Sequence, residues 1–275
     1  MNKIILLAFA GLISANAYCQ RSNTNVLKLA VDKTKHFAIN TSNASIDIEG
    51  YDGDELIVEA ITNKEPAPVP PDAAGLTKIP FAMRPAEDNV INYKQIDQTS
   101  FLNQISITTK CNYLHIKVPN NIILFSINSQ NTRYANYITF SNYKGAFQLE
   151  GSASTANISK VTGPFKVSIR AESLSIKDVS WSANAAWPFD PSKLNLTSPY
   201  MIRSTLNSYP NIDITVPADL KAGLFLTSRE GNVYSNLPLS GDVNITNAYK
   251  PILMNGGGVK IEIDGGNGNI YLRKQ

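Results

Sequence analysis

The chain has 275 residues, with 25 Lys and Arg against 22 Asp and Glu and a formal net charge of +3. The basic residues are spread out, which excludes the positive stripe that nucleic-acid binding needs, so no nucleic-acid partner is expected. Charged residues are only 17% of the chain, below the usual quarter. Asn, Ser and Thr carry the polar character instead, as suits the turns and outward strand faces of an exported β protein.

The chain opens as a secretion signal. Lys3 precedes an apolar run, Ile4 to Ile13, that is too short to span a bilayer. Ala15-Asn16-Ala17 fits small-x-small cleavage and gives a mature start at Tyr18; cleavage after Cys19 leaves Gln20 first. Tyr18 stands where a lipobox wants a small residue, which disfavours a lipid anchor at Cys19. No later stretch is long and apolar enough to span a membrane. The expectation is a signal over 1–19 and a single repetitive β domain over 20–275. Its expected place is extracytoplasmic: periplasmic, outer-membrane-associated or secreted. Cys19 and Cys111 cannot build a disulfide framework. Cys111 precedes an alternating run and reads as a buried thiol.

Helical periodicity is nearly absent, and short alternating runs recur between turn residues. Ser45 to Glu49 predicts a strand, Gly50-Tyr51-Asp52-Gly53-Asp54 a turn, and Glu55 to Ala60 the next strand. Asp-Gly between alternating runs signals a local reversal. Residues 64–103 differ. Glu65-Pro66-Ala67-Pro68-Val69-Pro70-Pro71 removes backbone donors and fixes φ, so it reads as an extended insert. Strand character returns at Val90 to Tyr93, weakly, and then at Gln104 to Thr108.

From Leu114 the rhythm steadies. Leu114 to Val118 ends in Pro119, and Ile212 to Val216 ends in Pro217; each is followed by an apolar run, Ile122 to Ile127 and Ala222 to Thr227. Between them lie strands at Phe147 to Glu150, Asn157 to Ser159, Phe165 to Ile169 and Leu174 to Lys177. Trp181 to Pro191 interrupts the rhythm with Trp181, Trp187 and Phe189. It reads either as a loop capping the core or as an exposed aromatic patch.

Gly231-Asn232-Val233-Tyr234 and Gly268-Asn269-Ile270-Tyr271 are near copies, with further glycine-led strands at Gly241 and Gly258 between them. The turns at 231 and 241 are ten residues apart, as are those at 258 and 268. Strands this short are not stable alone, and their backbone groups need neighbours. Stacking strand on strand would align Ile245, Ile261, Ile263 and Ile270 as apolar columns. The expected fold is therefore all-β, a repetitive β-solenoid or β-prism-like stack. A Greek-key sandwich would need longer, more even strands.

Met254-Asn255-Gly256-Gly257-Gly258, leading to Gly268-Asn269-Ile270-Tyr271-Leu272-Arg273-Lys274, resembles the closing motif of the putative-adhesin β-repeat family of bacterial envelope proteins. Ile46 to Glu55 is similar to that family's opening turn. Ala74-Gly75-Leu76-Thr77 with Glu87-Asp88-Asn89 is similar to its central insert, and Ile212 to Pro217 with Ala222 and Gly231 to Leu237 to its later strands. The resemblance implies an all-β repetitive fold, export, and a role in adhesion or envelope interaction. It supplies no catalytic residues, and Trp181 to Pro191 matches none of its patterns.

Catalytic signatures are missing. His36 and His115 are the only histidines and have no metal-type spacing; His115 reads as an outward strand residue. There is no nucleophile elbow and no phosphate-binding glycine loop, and Gly256-Gly257-Gly258 reads as a corner. Asp47 with Glu49, and Glu262 with Asp264, share strand faces in a way that would suit general acid and base, yet each pair alternates with Ile as an ordinary solvated face does. Tyr134, Tyr137, Phe140 and Tyr143 lie beside several Asn. Aromatic faces stack on sugars, so Tyr134, Tyr137, Tyr143, Trp181 and Trp187 are the candidate glycan or protein contacts. The opposing account is a half-buried strand with aromatic cross-strand pairs. The expectation is a non-catalytic, adhesin-like envelope protein without cofactor or metal, binding a glycan or protein through its β surface. The alternatives are a polysaccharide-active solenoid enzyme and a structural or signalling accessory in envelope stress.

Overall fold

The computed structural model describes residues 19–22, 26–42, 44–61, 91–98, 102–109, 113–130, 137–182, 184–190, 196–204, 210–240 and 250–275. The signal reading at 1–18, the Pro-rich stretch 64–90, Cys111, Tyr134, Gly241 and Ile245 lie outside these residues. Among the described residues every regular element is a strand, as expected, and no helix is long and apolar enough to cross a membrane.

The first group of strands is β1 (Cys19–Ser22), β2 (Val26–Ala30), β3 (His36–Ser42), β4 (Ser45–Tyr51), β5 (Glu55–Ile61), β6 (Ile91–Gln98), β7 (Leu102–Thr109) and β8 (Tyr113–Pro119). The middle group is β9 (Leu124–Gln130), β10 (Tyr137–Ser141), β11 (Phe147–Ser152), β12 (Thr155–Ser159), β13 (Phe165–Arg170), β14 (Ser173–Lys177), β15 (Tyr200–Ser204) and β16 (Asn211–Val216). The last group is β17 (Ala222–Thr227), β18 (Val233–Ser235), β19 (Leu239–Ser240), β20 (Ile252–Met254), β21 (Val259–Asp264) and β22 (Asn269–Lys274). They form two mixed sheets. A twelve-stranded sheet runs β1-β6-β7-β3-β9-β11-β13-β15-β21-β17-β20-β19, and a ten-stranded sheet runs β18-β22-β16-β14-β12-β10-β4-β8-β5-β2.

Through the middle of the chain, consecutive strands alternate between the two sheets, and strands within a sheet are parallel. Tyr137 pairs with Thr155 and Thr155 with Ser173; the step between neighbours is 18 residues. The expected turn spacing of about ten residues is thus half of the structural period. The corners repeat too. Asn142, Lys160 and Asp178 take left-handed φ of 57°, 52° and 55°, and Lys144, Thr162 and Ser180 bridge in parallel beside them. The return corner is short and carries a buried alanine, Ala153 or Ala171. The corner after Asp178 stays in register through Ser180, and the described residues 181–182 and 184–190 follow it without joining a strand. That is why the rhythm breaks there.

Stacking does not follow chain order at either end. The pair β3–β4 lies between β7–β8 and β9–β10, and the pair β21–β22 lies between β15–β16 and β17–β18. At Val118-Pro119 and at Val216-Pro217 the chain therefore steps across a rung that another segment fills. Asn120 holds the first crossing, donating to Asp52 Oδ1 at 2.8 Å and accepting from the Lys144 N–H at 2.9 Å. Asn255 holds the second, donating to the carbonyls of Ala218 and Leu220 at 2.8 and 2.9 Å. The turn at Asp52-Gly53 does reverse the chain, but β8 lies between β4 and β5, so no hairpin forms.

The core lies between the inward faces. Alternation produces it: β8, β13 and β21 bury every second residue. On the twelve-stranded sheet, Phe37, Phe125, Phe147, Phe165 and Tyr200 stand in one register column. Phe140 of the opposite sheet meets that column at 6.0 Å from Phe125 and 4.5 Å from Phe147. Ile261, Ile263 and Ile270 are buried, as expected. Each such burial contributes about 1.5–3 kcal/mol relative to exposure.

The repeated Gly-Asn units do stack, with Val233 on Ile270 and Tyr234 on Tyr271. The reason for their glycines is close approach. Neither Gly231 nor Gly268 has a positive φ. A Cβ on Gly268 would lie 1.6 Å from the Pro210 carbonyl oxygen, and one on Gly231 1.8 Å from that of Gly268. Contact between rungs, not left-handed backbone, demands glycine here. Gly256 is the reverse case: φ is +82° and a Cβ would meet nothing within 4 Å. Gly268→Ala is expected to cost about 3 kcal/mol by overpacking and Gly256→Ala about 1 kcal/mol by strain; urea unfolding of both variants checks the order.

His36 adds a pH dependence. Its Nε2 lies 2.7 Å from Ser126 Oγ, and burial pushes its pKa from 6.5 down to about 4. The unfolded chain then binds a proton that the folded chain refuses between these values. This stabilisation is present above about pH 6.5 and is lost as the pH falls toward 4, on the order of 3 kcal/mol. His36→Gln is expected to flatten the loss of the denaturation midpoint over that window relative to the parent.

Candidate functional site

A concavity lies on the outer face of the twelve-stranded sheet, where β13, β15, β21 and β17 run side by side. Register brings Lys166 opposite Met201, Met201 opposite Glu262, and Glu262 opposite Phe225. The next outward row is Ser168, Arg203, Asp264 and Thr227. At about 4.8 Å per strand, four strands make each row about 14 Å long. The groove above them holds about 550 Å³ and is also lined by Lys260, a size suited to a small ligand or a short polymer segment.

Its charges are paired within the groove or at its rim. Lys260 Nζ is 2.6 Å from Glu262 Oε1 and 4.8 Å from the centre of the Phe225 ring. Thr197 Oγ1 donates to both Glu262 oxygens, at 3.1 and 3.0 Å. Arg203 Nε lies 3.2 Å from Asp264 Oδ2, and the Gly266 N–H donates to Asp264 Oδ1 at 3.0 Å. Lys166 Nζ lies 3.1 Å from Glu150 Oε1. The Arg203 side chain is 61% exposed. Pairs this open to water contribute about 0–1 kcal/mol each to stability. Their effect is to fix a row of donors and acceptors in place.

A second cluster stands on the outer face of the ten-stranded sheet. Asp47 accepts from the Tyr113 hydroxyl at 3.2 Å and from the Thr139 hydroxyl, and lies 3.1 Å from His115 Nδ1. Glu49 accepts from Asn142 Nδ2 at 3.2 Å and lies 3.9 Å from His115 Nε2. His115 does face outward, yet it is held between two carboxylates. Tyr137 tilts against Tyr113 at 5.9 Å. Burial raises the pKa of both tyrosines, and the Asp47 charge adds to it. Among the described residues no group of His, Cys, Asp and Glu is arranged to hold a metal ion.

The proposed contact residues do not converge. Tyr137 is 41% exposed on the ten-stranded sheet. Tyr143 corrects the expectation: it is fully buried among Phe125, Phe140 and Phe147 and offers no face to a ligand. Alternation explains it, because Tyr143 follows β10 at a corner where the chain turns into the core. Trp181 packs on Phe165 and Tyr200 at 5.7 and 4.9 Å. Trp187 donates from Nε1 to the Ser198 carbonyl at 3.0 Å and leans on Phe189. Both tryptophans are half-buried, and the segment covers the core as a cap does. Glu262 and Asp264 were legible as a same-face pair. Lys166, Met201, Arg203 and Phe225 were not singled out, although each is an outward position of an alternating strand.

Tyr234 and Tyr271 form a further outward pair, stacked at 5.2 Å and 14°, with Arg273 5.4 Å from the Tyr271 ring. Arg273 also donates from Nε to both oxygens of Asp213 at 2.9 Å.

No family model and no curated protein matches the chain. Among solved structures, a putative cell adhesion protein from Clostridium sporogenes aligns with 91% of this chain and 99% of its own, at 11% identity and a TM-score of 0.40. At that score the likeness carries no inference about fold or activity.

The Tyr143 hydroxyl has no hydrogen-bond partner among the described residues, and an unsatisfied buried group costs about 1–3 kcal/mol. Tyr143→Phe is expected to raise the urea midpoint, by about 1 kcal/mol in stability. A lower midpoint would show that the hydroxyl is satisfied in solution.

Proposed function

We propose that the chain is a non-catalytic, adhesin-like protein of the cell envelope, built as a two-sheet β-solenoid, that binds a glycan or protein through its outer sheet faces. The parallel registers stepping by 18 residues support the solenoid reading. The signal-like start supports export, and with it a periplasmic, outer-membrane-associated or secreted location. The groove over β13, β15, β21 and β17 is the observation that carries the binding reading. It offers a line of oriented donors and acceptors beside the apolar Met201 and Phe225 surfaces.

The same groove favours one second reading, a polysaccharide-active enzyme, because Glu262 and Asp264 stand in it on one strand face. Two carboxylates acting as acid and base need environments that set their protonation apart. Here each is engaged by a cation and by a hydroxyl or backbone N–H. That arrangement suits fixed acceptors better than a proton donor. The accessory role in envelope stress has no feature of its own in the fold.

A screen of purified protein against surface glycans and envelope proteins is expected to give binding that Arg203→Glu weakens about tenfold, as loss of one interface anchor does. The same protein incubated with polysaccharides is expected to release no reducing ends. Release that disappears in Glu262→Gln or Asp264→Asn would establish the enzyme reading in its place.

A further inference from the structure

We infer that the groove on the twelve-stranded sheet is a subsite for an uncharged glycan, a short linear run of sugar rings lying across β13, β15, β21 and β17. The inference rests on the binding reading above and goes beyond it by naming the ligand class.

The first argument is charge. The three cations lining the groove are each matched: Lys166 to Glu150 at 3.1 Å, Arg203 to Asp264 at 3.2 Å and Lys260 to Glu262 at 2.6 Å. Each cation therefore already has a counter-ion, so the groove offers no unmatched charge to draw an ionic ligand. A hydroxyl needs none. It donates to a carboxylate and accepts from an ammonium or guanidinium at once, so it joins an existing pair without opening it. A sugar ring carries several such hydroxyls around its rim.

The second argument is the apolar component. Met201 and Phe225 flank Glu262 in one register row. Glu262 separates Met201 from Phe225 in that row and Lys260 Nζ lies over the Phe225 ring, so successive rings of a linear run would set their C–H edges on Met201 and on the part of Phe225 that Lys260 leaves uncovered, with hydroxyls within reach of Glu262 and Lys260. Amphipathic sugars need this combination of a flat apolar contact and paired polar partners.

The third argument is size. A stable protein partner needs about 1,000 Å² or more of buried surface, and a groove of about 550 Å³ cannot supply that by itself. It is in the range of sites that enclose a small ligand. The alternative small occupant is an extended peptide, whose charged side chains meet the same objection as any charged ligand.

The test uses the full exported chain in titration calorimetry against three probe sets: neutral linear oligosaccharides of hexoses and N-acetylhexosamines, uronate-bearing oligosaccharides, and a library of extended peptides. Each is measured at about 50 and about 500 mM salt, because screening separates ionic from neutral recognition. A neutral oligosaccharide is expected to bind with less than about a twofold change between the two salts. Phe225→Ala and Met201→Ala, both on the outer face, are expected to weaken it about tenfold or more with the melting temperature unchanged. Tyr271→Ala on the other sheet is expected to leave it alone. Binding confined to uronates or peptides, with a steep loss in high salt, overturns the neutral-glycan inference while leaving the binding function standing. Neutral-glycan binding that survives Phe225→Ala and Met201→Ala but fails in Tyr137→Ala overturns the groove as the site. Silence from all three sets, with envelope proteins also failing to bind, overturns both readings together.

Discussion

The constraint that governs this molecule is backbone contact between parallel, in-register rungs. Neighbouring strands in a sheet lie about 4.8 Å apart, and where corners stack as closely as strands no side chain fits between them. Pro210, Gly268 and Gly231 form such a column. Gly163 over Gly145 is another, where a Cβ would come within 2.5 Å of the Gly145 carbonyl oxygen. Once the rungs are in register, every residue's facing follows from parity. Inward residues fall into columns of Phe and Ile, and outward residues into rows of polar and charged groups. The core and the outer surface are two readings of one alternation.

The same constraint gives the ends their topology. A pair of strands left exposed at the end of a stack presents unsatisfied N–H and C=O groups. Here the last pair, β21–β22, enters a slot between pairs made earlier, and β3–β4 occupies the corresponding slot near the start. Filling a slot satisfies two edges at once, where adding to an end satisfies one. The slot depends on a crossing that spans the missing rung, and the two Val-Pro corners provide it. The groove is a product of this arrangement. Glu262, Asp264 and Lys260 belong to β21, and they meet Arg203 and Phe225 only because β21 lies between β15 and β17. These contacts join residues far apart in sequence, Arg203 to Asp264 and Phe225 to Glu262.

Much of this was legible in the residues. Alternation placed most strands between Leu114 and Lys177, although β10 stood only as the opposing account of the aromatic cluster, and it placed the buried Ile261, Ile263 and Ile270; the Val-Pro repeat marked two equivalent corners. The 18-residue period was also present, in Gly145-Ala146-Phe147 and Gly163-Pro164-Phe165. It was hidden because the chain spells it with different residues at matching positions: Asn142, Lys160 and Asp178 share one backbone conformation. Strand order was not legible. Parity says which way Arg203 faces, but nothing local says that its neighbour is Asp264, 61 residues further on. Tyr143 misled for a related reason. Its spacing from Tyr137 and Phe140 looks like a surface cluster, whereas the corner turns it inward to pack at 5.3 Å on Phe140.

Function has to be sought where stability does not explain the residue. The inward columns need no other account, since burying them holds the rungs together. The outer rows differ. Arg203, Asp264, Lys260 and Glu262 are ion pairs partly open to water, and such pairs contribute little to folding. A plain polar row, such as Thr155 beside Ser173 or Asn157 beside Ser175 on β12 and β14, would satisfy the same strand faces. Here three ion pairs instead stand beside Met201 and Phe225 in the groove. Opposite charges on neighbouring strands are ordinary on a solvated sheet face; what is added here is that Met201 and Phe225 share the row with them, and it is that combination which suits the proposed recognition of a polar, ring-shaped ligand.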